Sequence, residues 1–289
     1  MIELTNTYHF RIHLHKDEAK NAPWVTYSRY PEGSYDPKYS ARYSTSEEWT
    51  ESIVDCLAML TEERKNIFFY IHGLWEDNPL FVSYSNQILH KELFNQESHP
   101  YGMIVSMQWE GKLWYEDNLK LVERAGKYFG NIIIQIQNIF LERKIRADYS
   151  FLCHSMGNNI FRHMWKYWTE KGELFEISRV FLCAADLPDD VLENDLIKLS
   201  DYCRKTVVLY HHKDKTLTIA QLLKPFPRMG IFGPASQNKL PPNIIALDVT
   251  QSTEDDHSIG GAITHHQYFY GSKFVTTLIR KELVSTASE

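Results

Sequence analysis

The sequence predicts an α/β architecture in which a mostly parallel central sheet carries helices on both faces. Six short runs, at 67–71, 103–107, 149–153, 180–184, 207–210 and 244–249, are apolar at consecutive positions rather than at alternate ones. That is the pattern of strands buried on both faces. Amphipathic stretches of helical period lie between them, and strands alternating with helices feed a parallel sheet. The chain is 43% hydrophobic over 289 residues, enough for one large core, and a single domain spanning 1–289 is the simplest division.

The elements follow in order. Residues 8–15 alternate polar and apolar side chains as a half-buried strand does, and 24–28 is its expected hairpin partner. Together with an irregular Tyr-, Ser- and Pro-rich loop over 30–43, they make residues 1–45 a leading pair of antiparallel edge strands and a loop. Thr45 and Glu48 have the spacing of a capping box. Trp49, Ile53, Leu57 and Leu60 then recur at helical spacing, which predicts a helix over 46–63. Further helices are predicted over 118–143, 158–171, 191–203 and 272–284. The Pro- and Gly-rich stretch 225–242 has no periodicity and is predicted as a long loop before the last strand, within a segment 214–243 lying over the active site.

Composition excludes several function classes. Net charge is −6 with Lys and Arg scattered, so the basic stripe of a nucleic-acid binder is missing. No N-terminal leader is visible and no apolar run is long enough to span a bilayer, so no membrane partner and a cytoplasmic location are expected. Cys56, Cys153, Cys183 and Cys203 lie in apolar or helical segments without a Cys-x-x-Cys pair and read as buried free thiols.

The chemistry concentrates at the end of the third apolar run. There Cys153-His-Ser-Met-Gly157 places Ser155 between a strand and a helix, in the form of a Gly-x-Ser-x-Gly elbow with Cys153 in the first small position. The competing role for Ser155 is a helix cap. A serine nucleophile needs a base within reach and donors for the oxyanion. The first run of the parallel set ends in Ile71-His-Gly-Leu-Trp75, where Gly73 lets the backbone turn beside the elbow, and Leu74 and Met156 are the expected backbone donors.

These segments resemble a known family, the bacterial α/β-hydrolases of unknown function often described as haloperoxidase-like. The resemblance runs from residue 67 to about 279. It rests on Ile71-His-Gly73, Val105-Ser-Met-Gln-Trp109, His154-Ser-Met-Gly-Asn158, Ala184-Ala-Asp186, the stretch from Leu209 through His211, His212 and Asp214 to Leu217, Arg228-Met-Gly230 and His266-Gln-Tyr-Phe-Tyr270. It implies the α/β-hydrolase fold and a Ser, Asp, His triad carried by Ser155, Asp214 and His266. It implies no substrate. The sequence departs from the family at Cys153 and at Gln108-Trp109-Glu110, where a Trp-Pro-Ser-like turn is commoner.

Asp186 competes with Asp214 for the acid, although Pro188, Asp189 and Asp190 make it resemble the start of a helix. His257 and His265 compete with His266 for the base. His13 and His15 share one strand face, whose simplest reading is an exposed edge, and no metal-ligand motif occurs, so neither metal nor cofactor is expected. The function expected is a serine esterase acting on a small-molecule acyl substrate, with acyl transfer or thioester cleavage using the same machinery. A binding or scaffold protein retaining the fold is the rival from another class. Trp75, Trp109, Trp114, Tyr115, Phe226, Phe232 and Tyr268 suggest an apolar pocket, with ordinary packing as the simpler account.

Overall fold

The computed structural model describes residues 7–15, 25–30, 40–74, 89–94, 101–112, 114–253 and 261–284. Nine strands form one sheet: β1 (Tyr8–Leu14), β2 (Val25–Tyr30), β3 (Ala41–Tyr43), β4 (Asn66–Ile71), β5 (Tyr101–Trp109), β6 (Asp148–His154), β7 (Ile177–Cys183), β8 (Cys203–Tyr210) and β9 (Ile244–Asp248). Their order is β3-β2-β1-β5-β4-β6-β7-β8-β9, and every pair from β1-β5 through to β8-β9 is parallel. The family resemblance and the apolar runs therefore lead to the right architecture, an α/β-hydrolase fold.

Helices cover both faces. On one, α1 (Ser46–Ala58), α2 (Tyr115–Arg143) and α3 (Gly157–Lys171) bury Trp49, Phe129, Ile133, Met164 and Trp168 against Ile71, Val105, Phe151 and Leu182. On the other, α8 (Tyr268–Gly271) and α9 (Lys273–Val284) set Phe269, Val275 and Ile279 against Tyr70, Leu152 and Leu209. The remaining short helices are α4 (Leu199–Tyr202), α5 (Lys215–Leu223), α6 (Met229–Phe232) and α7 (Gly261–Thr264).

The caps explain the helix limits. The Glu48 amide donates to Thr45 Oγ1 at 3.2 Å, while Glu48 Oε2 reaches back to the Ser44 amide at 2.9 Å, one residue beyond the reciprocal partner of a standard box. The α1 helix stops at Ala58, and a 3₁₀ turn at Glu62–Arg64 completes the stretch predicted as one helix. At the end of α3, Gly172 adopts φ 70°, where glycine carries no steric penalty.

Four expectations need correction. The helix expected over 191–203 is a run of turns, Val191 to Pro188, Glu193 to Asp190 and Asn194 to Val191, ending in the single helical turn α4. Cys203 already pairs with Ile177 in the sheet, and the Asn194 side chain binds the Asp190 carbonyl, so local turn bonds displace a helical ladder. The leading strands are not an edge pair: β2 runs antiparallel to β1, but β1 lies inside the sheet, parallel to β5. The stretch 225–242 is not a plain loop, since it holds α6 and a 3₁₀ turn at Gln237–Lys239. Pairing of β3 with β2 likewise places a strand inside the predicted loop 30–43, of which 31–39 lie outside the described residues.

All four cysteines are free and buried, as their apolar settings suggested. Burial pushes the Cys153 and Cys183 thiols well up, so they serve as small apolar side chains. Among the described residues no helix is long and apolar enough to cross a membrane.

Candidate active site

A parallel sheet collects the residues that follow its strands at one carboxyl edge, where ligand sites of α/β proteins are found. Here that edge gathers Gly73 after β4, Ser155 after β6, Asp186 after β7 and Asp214 after β8.

Ser155 and Met156 alone separate β6 from α3, and the turn is too tight for ordinary backbone angles. Ser155 sits at φ 51°, in the left-handed region that costs a residue with a side chain about 1–2 kcal/mol. Its surroundings hold it there. The Ser155 amide donates to the Cys183 carbonyl at 3.0 Å and the Asp186 amide donates to the Ser155 carbonyl at 3.3 Å. Asn158 Nδ2 donates to the carbonyls of Cys153, Ser155 and Cys183 at 3.2, 2.9 and 3.1 Å, which pins the elbow from the first turn of α3. Sequence reasoning quoted Asn158 in the motif without giving it a task. The available signal was an amide on the side of α3 that packs on the sheet.

The turn also needs its glycines. A Cβ on Gly157 would lie 2.4 Å from the Ile71 carbonyl oxygen and 2.6 Å from that of His72, so α3 can press onto the end of β4 only without a side chain there. A Cβ on Gly73 would stand 2.9 Å from Ser155 Cβ. The loop that begins after β4 therefore runs directly beside the serine. Cys153, which replaces the first small residue of the elbow, is fully buried in the core, so this departure concerns packing beneath the site.

His72 fixes the start of that loop. Its Nδ1–H donates to the Gly73 carbonyl at 2.7 Å, and its Nε2 accepts the Trp109 amide at 3.1 Å. The Trp109 indole returns a hydrogen bond to the His72 carbonyl at 3.1 Å and stacks on its ring, so Gln108-Trp109-Glu110 braces the loop where the family more often has another turn. Among the described residues, neither the Leu74 nor the Met156 amide donates to another backbone carbonyl. Trp75 lies outside the described residues.

Asp214 is completely buried and caps α5, its Oδ1 accepting the Leu217 amide at 2.9 Å. Its other oxygen, Oδ2, lies 2.7 Å from His266 Nδ1. One oxygen thus anchors the carboxylate to a helix while the other orients an imidazole. His266 is placed by the elbow as well: His154 Nε2–H donates to the His266 carbonyl at 3.0 Å, and the two rings lie 4.7 Å apart. Among the described residues no hydrogen bond joins the Ser155 hydroxyl to His266.

The described rivals have other partners. The His265 ring stacks on His211 at 4.9 Å, and His211 is held by the Lys213 amide and Thr253, with its pKa lowered by burial. His257 lies outside the described residues. Asp186 starts no helix. Its carboxylate accepts the Tyr115 hydroxyl at 2.8 Å and pairs with Arg228, which is fully buried. Burial raises the Asp186 pKa and Arg228 opposes that rise. Arg228 also donates to the Ala220 carbonyl at 2.6 Å, at the end of α5, and lies 4.2 Å over the Phe226 ring. Arg228 ties α5, which Asp214 caps, to Asp186 beyond the end of β7. Sequence reasoning gave neither Arg228 nor Tyr115 this role.

Ordinary packing, the simpler account of the aromatics, describes most of them. Trp109 and Tyr268 are buried in packing and hydrogen bonds, Tyr115 and Phe226 serve Arg228, and Trp114 and Phe232 are exposed.

His13 is not on an exposed edge either. It is buried, and with His15 and Glu110 it brings three potential ligand atoms within 4.8 Å of one another. Arg11 can only donate, and it does so to His13 Nδ1 at 2.7 Å. The proton of the neutral ring therefore stays on Nε2, 3.3 Å from Glu110 Oε1, and no lone pair is offered to a cation. Burial lowers the His13 pKa to about 2, and Arg11 pushes in the same direction. His15 bridges Glu110 and Thr26 at 2.9 and 2.8 Å. The cluster links β1, β2 and the end of β5 through hydrogen bonds of His13 to Arg11 and of His15 to Glu110 and Thr26, with Glu110 also close to His13.

No curated protein matches the sequence. Among solved structures, one described as "the putative cell surface hydrolase from Lactobacillus plantarum WCFS1" is similar at 15% identity and a TM-score of 0.43, covering 76% of this chain and 92% of that one. A family model, described as an alpha/beta hydrolase of unknown function, matches residues 57–282, a span that takes in the Gly73 loop, the Ser155 elbow, Asp214 and His266. By that match the chain belongs to the DUF900 family of α/β-hydrolases.

Proposed function

We propose that this protein is a serine hydrolase that cleaves a carboxylic ester or related acyl compound through an acyl-enzyme on Ser155. The observation that carries the reading is the meeting, at one sheet edge, of a serine on a strained strand-to-helix turn and a buried Asp214–His266 pair tied to the same turn by His154. In this reading the Ser155 side chain turns toward His266, which takes its proton as Oγ attacks the acyl carbon. Apo sites often hold such contacts open until substrate arrives.

Asp214 keeps the proton of neutral His266 on Nδ1, which puts the basic lone pair on Nε2, and it stabilises the imidazolium that forms. The amides of Leu74 and Met156 receive the oxyanion. The leaving group takes the proton from His266, and water then attacks the acyl-enzyme with His266 again as base, releasing the acid. Acyl transfer and thioester cleavage draw on the same groups, and ester hydrolysis is the reaction to test first.

A series of p-nitrophenyl esters of increasing acyl length provides that test. The expected result is saturable release of p-nitrophenol from at least the short and medium chains, with no added metal or cofactor. A protein that turns over none of them, nor the matching thioesters, would contradict the proposal and favour a binding role for the fold.

A further inference from the structure

The outer face of α5 has an unusual composition for a helix beside a buried acid. Leu217 points inward and is 1% exposed, yet Ile219, Leu222 and Leu223, at i, i+3 and i+4, are 61%, 81% and 59% exposed. Three aliphatic side chains on one face of a nine-residue helix form a compact apolar ridge. Phe232, on the next short helix, is exposed as well.

The charge around this ridge has one sign. Lys213, Lys215 and Lys224 are exposed at its two ends. From 215 to 247 the chain carries no Asp or Glu, although the whole protein has 37 of them and a net charge of −6. The acidic side chains that touch the segment are buried, Asp214 as the cap of α5 and Asp186 as the partner of Arg228, and Asp189 meets only the backbone of Pro227 and Ala235.

An apolar ridge rimmed by lysines on an acidic protein matches one kind of surface: a lipid layer with anionic headgroups. Apolar side chains enter the headgroup boundary while the ammonium groups meet the phosphates. Elsewhere the protein's negative charge disfavours the same surface, which sets the orientation. We propose that α5 is a docking element that seats this protein on an anionic lipid surface, with the carboxyl edge of the sheet turned toward the lipid. The proposal concerns binding and stands independently of the chemistry at Ser155.

Vesicle sedimentation tests it, using the full chain with vesicles of phosphatidylcholine alone or mixed with phosphatidylglycerol. The wild type is expected to sediment with the mixed vesicles at low salt and to be released as salt rises. The Leu222→Glu/Leu223→Glu protein, altered only at exposed positions, should bind at least tenfold less while unfolding at the wild-type temperature. Lys215→Glu/Lys224→Glu should show a similar loss on the mixed vesicles and little change on neutral ones. Absence of wild-type binding to the mixed vesicles, or binding unchanged in both variants, overturns the proposal. Light scattering on the same proteins covers the other occupant: a wild-type dimer that the leucine variant converts to monomer, without vesicle binding, would assign the ridge to a second copy of the chain.

Discussion

Asp214→Asn is expected to lower kcat for ester hydrolysis by about 10³–10⁴-fold with little change in KM, as loss of a triad acid does. The physical reason lies in which atom carries a proton. Asp214 Oδ2 accepts from His266 Nδ1 at 2.7 Å, which keeps the proton of the neutral ring on Nδ1 and the lone pair of the base on Nε2. An asparagine that turns its amide nitrogen toward the ring would hold the proton on Nε2 instead and remove the base.

The fold should tolerate this change. Asp214 caps α5 through Leu217, and asparagine caps as well as aspartate does, so the unfolding temperature should stay near that of the wild type. Activity and stability then separate, and steady-state kinetics beside a thermal melt reads both. Retention of more than about a tenth of kcat would move the acid elsewhere, with Asp186 as the first residue to re-examine.

Arg228→Met is expected to behave in the opposite way, with a large loss of stability. Arg228 and Asp186 are both buried, and removing one partner of such a pair costs about 3–5 kcal/mol because the other charge is left uncompensated. The variant also loses the donor that Arg228 supplies to the Ala220 carbonyl at the end of α5.

The pH dependence follows from Asp186, whose pKa burial raises above its unfolded value even with Arg228 present. Without Arg228 the rise is greater, and the folded state binds a proton that the unfolded state has already released. Stability of the variant therefore falls as pH rises from the unfolded carboxylate range through the folded pKa, and part of the loss is regained in acid. Urea denaturation at pH 5 and pH 8 checks the sign. Asp186→Asn/Arg228→Met should be more stable than Arg228→Met at pH 8, because the unpaired charge is gone. A deficit independent of pH would mean that Asp186 does not carry the effect.

The two acidic residues also show how far the sequence could be read. The elbow was legible because its demands are local: a strand, a small residue at Gly157 and a helix follow within a few positions. The six buried strands were legible because parallel strands covered on both faces lose their alternation. Asp214 and His266 lie 52 positions apart and were joined through family resemblance alone. The partner of Asp186 was hidden, since Arg228-Met-Gly230 marked the family resemblance without saying which carboxylate, 42 positions away, the arginine meets.

The first strand misled for a related reason. His9, Arg11 and His13 alternate with Phe10, Ile12 and Leu14, a pattern that reads as one wet face and one dry one. In the structure both faces of β1 are buried, because Arg11 meets Tyr30 and His13 and so gains partners that replace water. Whether a polar face is solvated or internally paired depends on strands far away in sequence. The α5 ridge reverses that error: its spacing has the form of a core-facing helix, yet three of its aliphatics face outward. A search for membrane-spanning length cannot find a surface of that size.

The central claim is that Ser155 is the nucleophile, and labelling with a fluorophosphonate probe tests it most directly. The probe reacts with an activated serine hydroxyl whatever acyl group the enzyme prefers, so ignorance of the substrate does not blunt the result. The account predicts a single adduct on the folded wild-type protein, mapped to Ser155 by peptide mass spectrometry and lost in Ser155→Ala and after heat denaturation. A wild type that takes up no probe, or a Ser155→Ala protein labelled as strongly as the wild type, would contradict it.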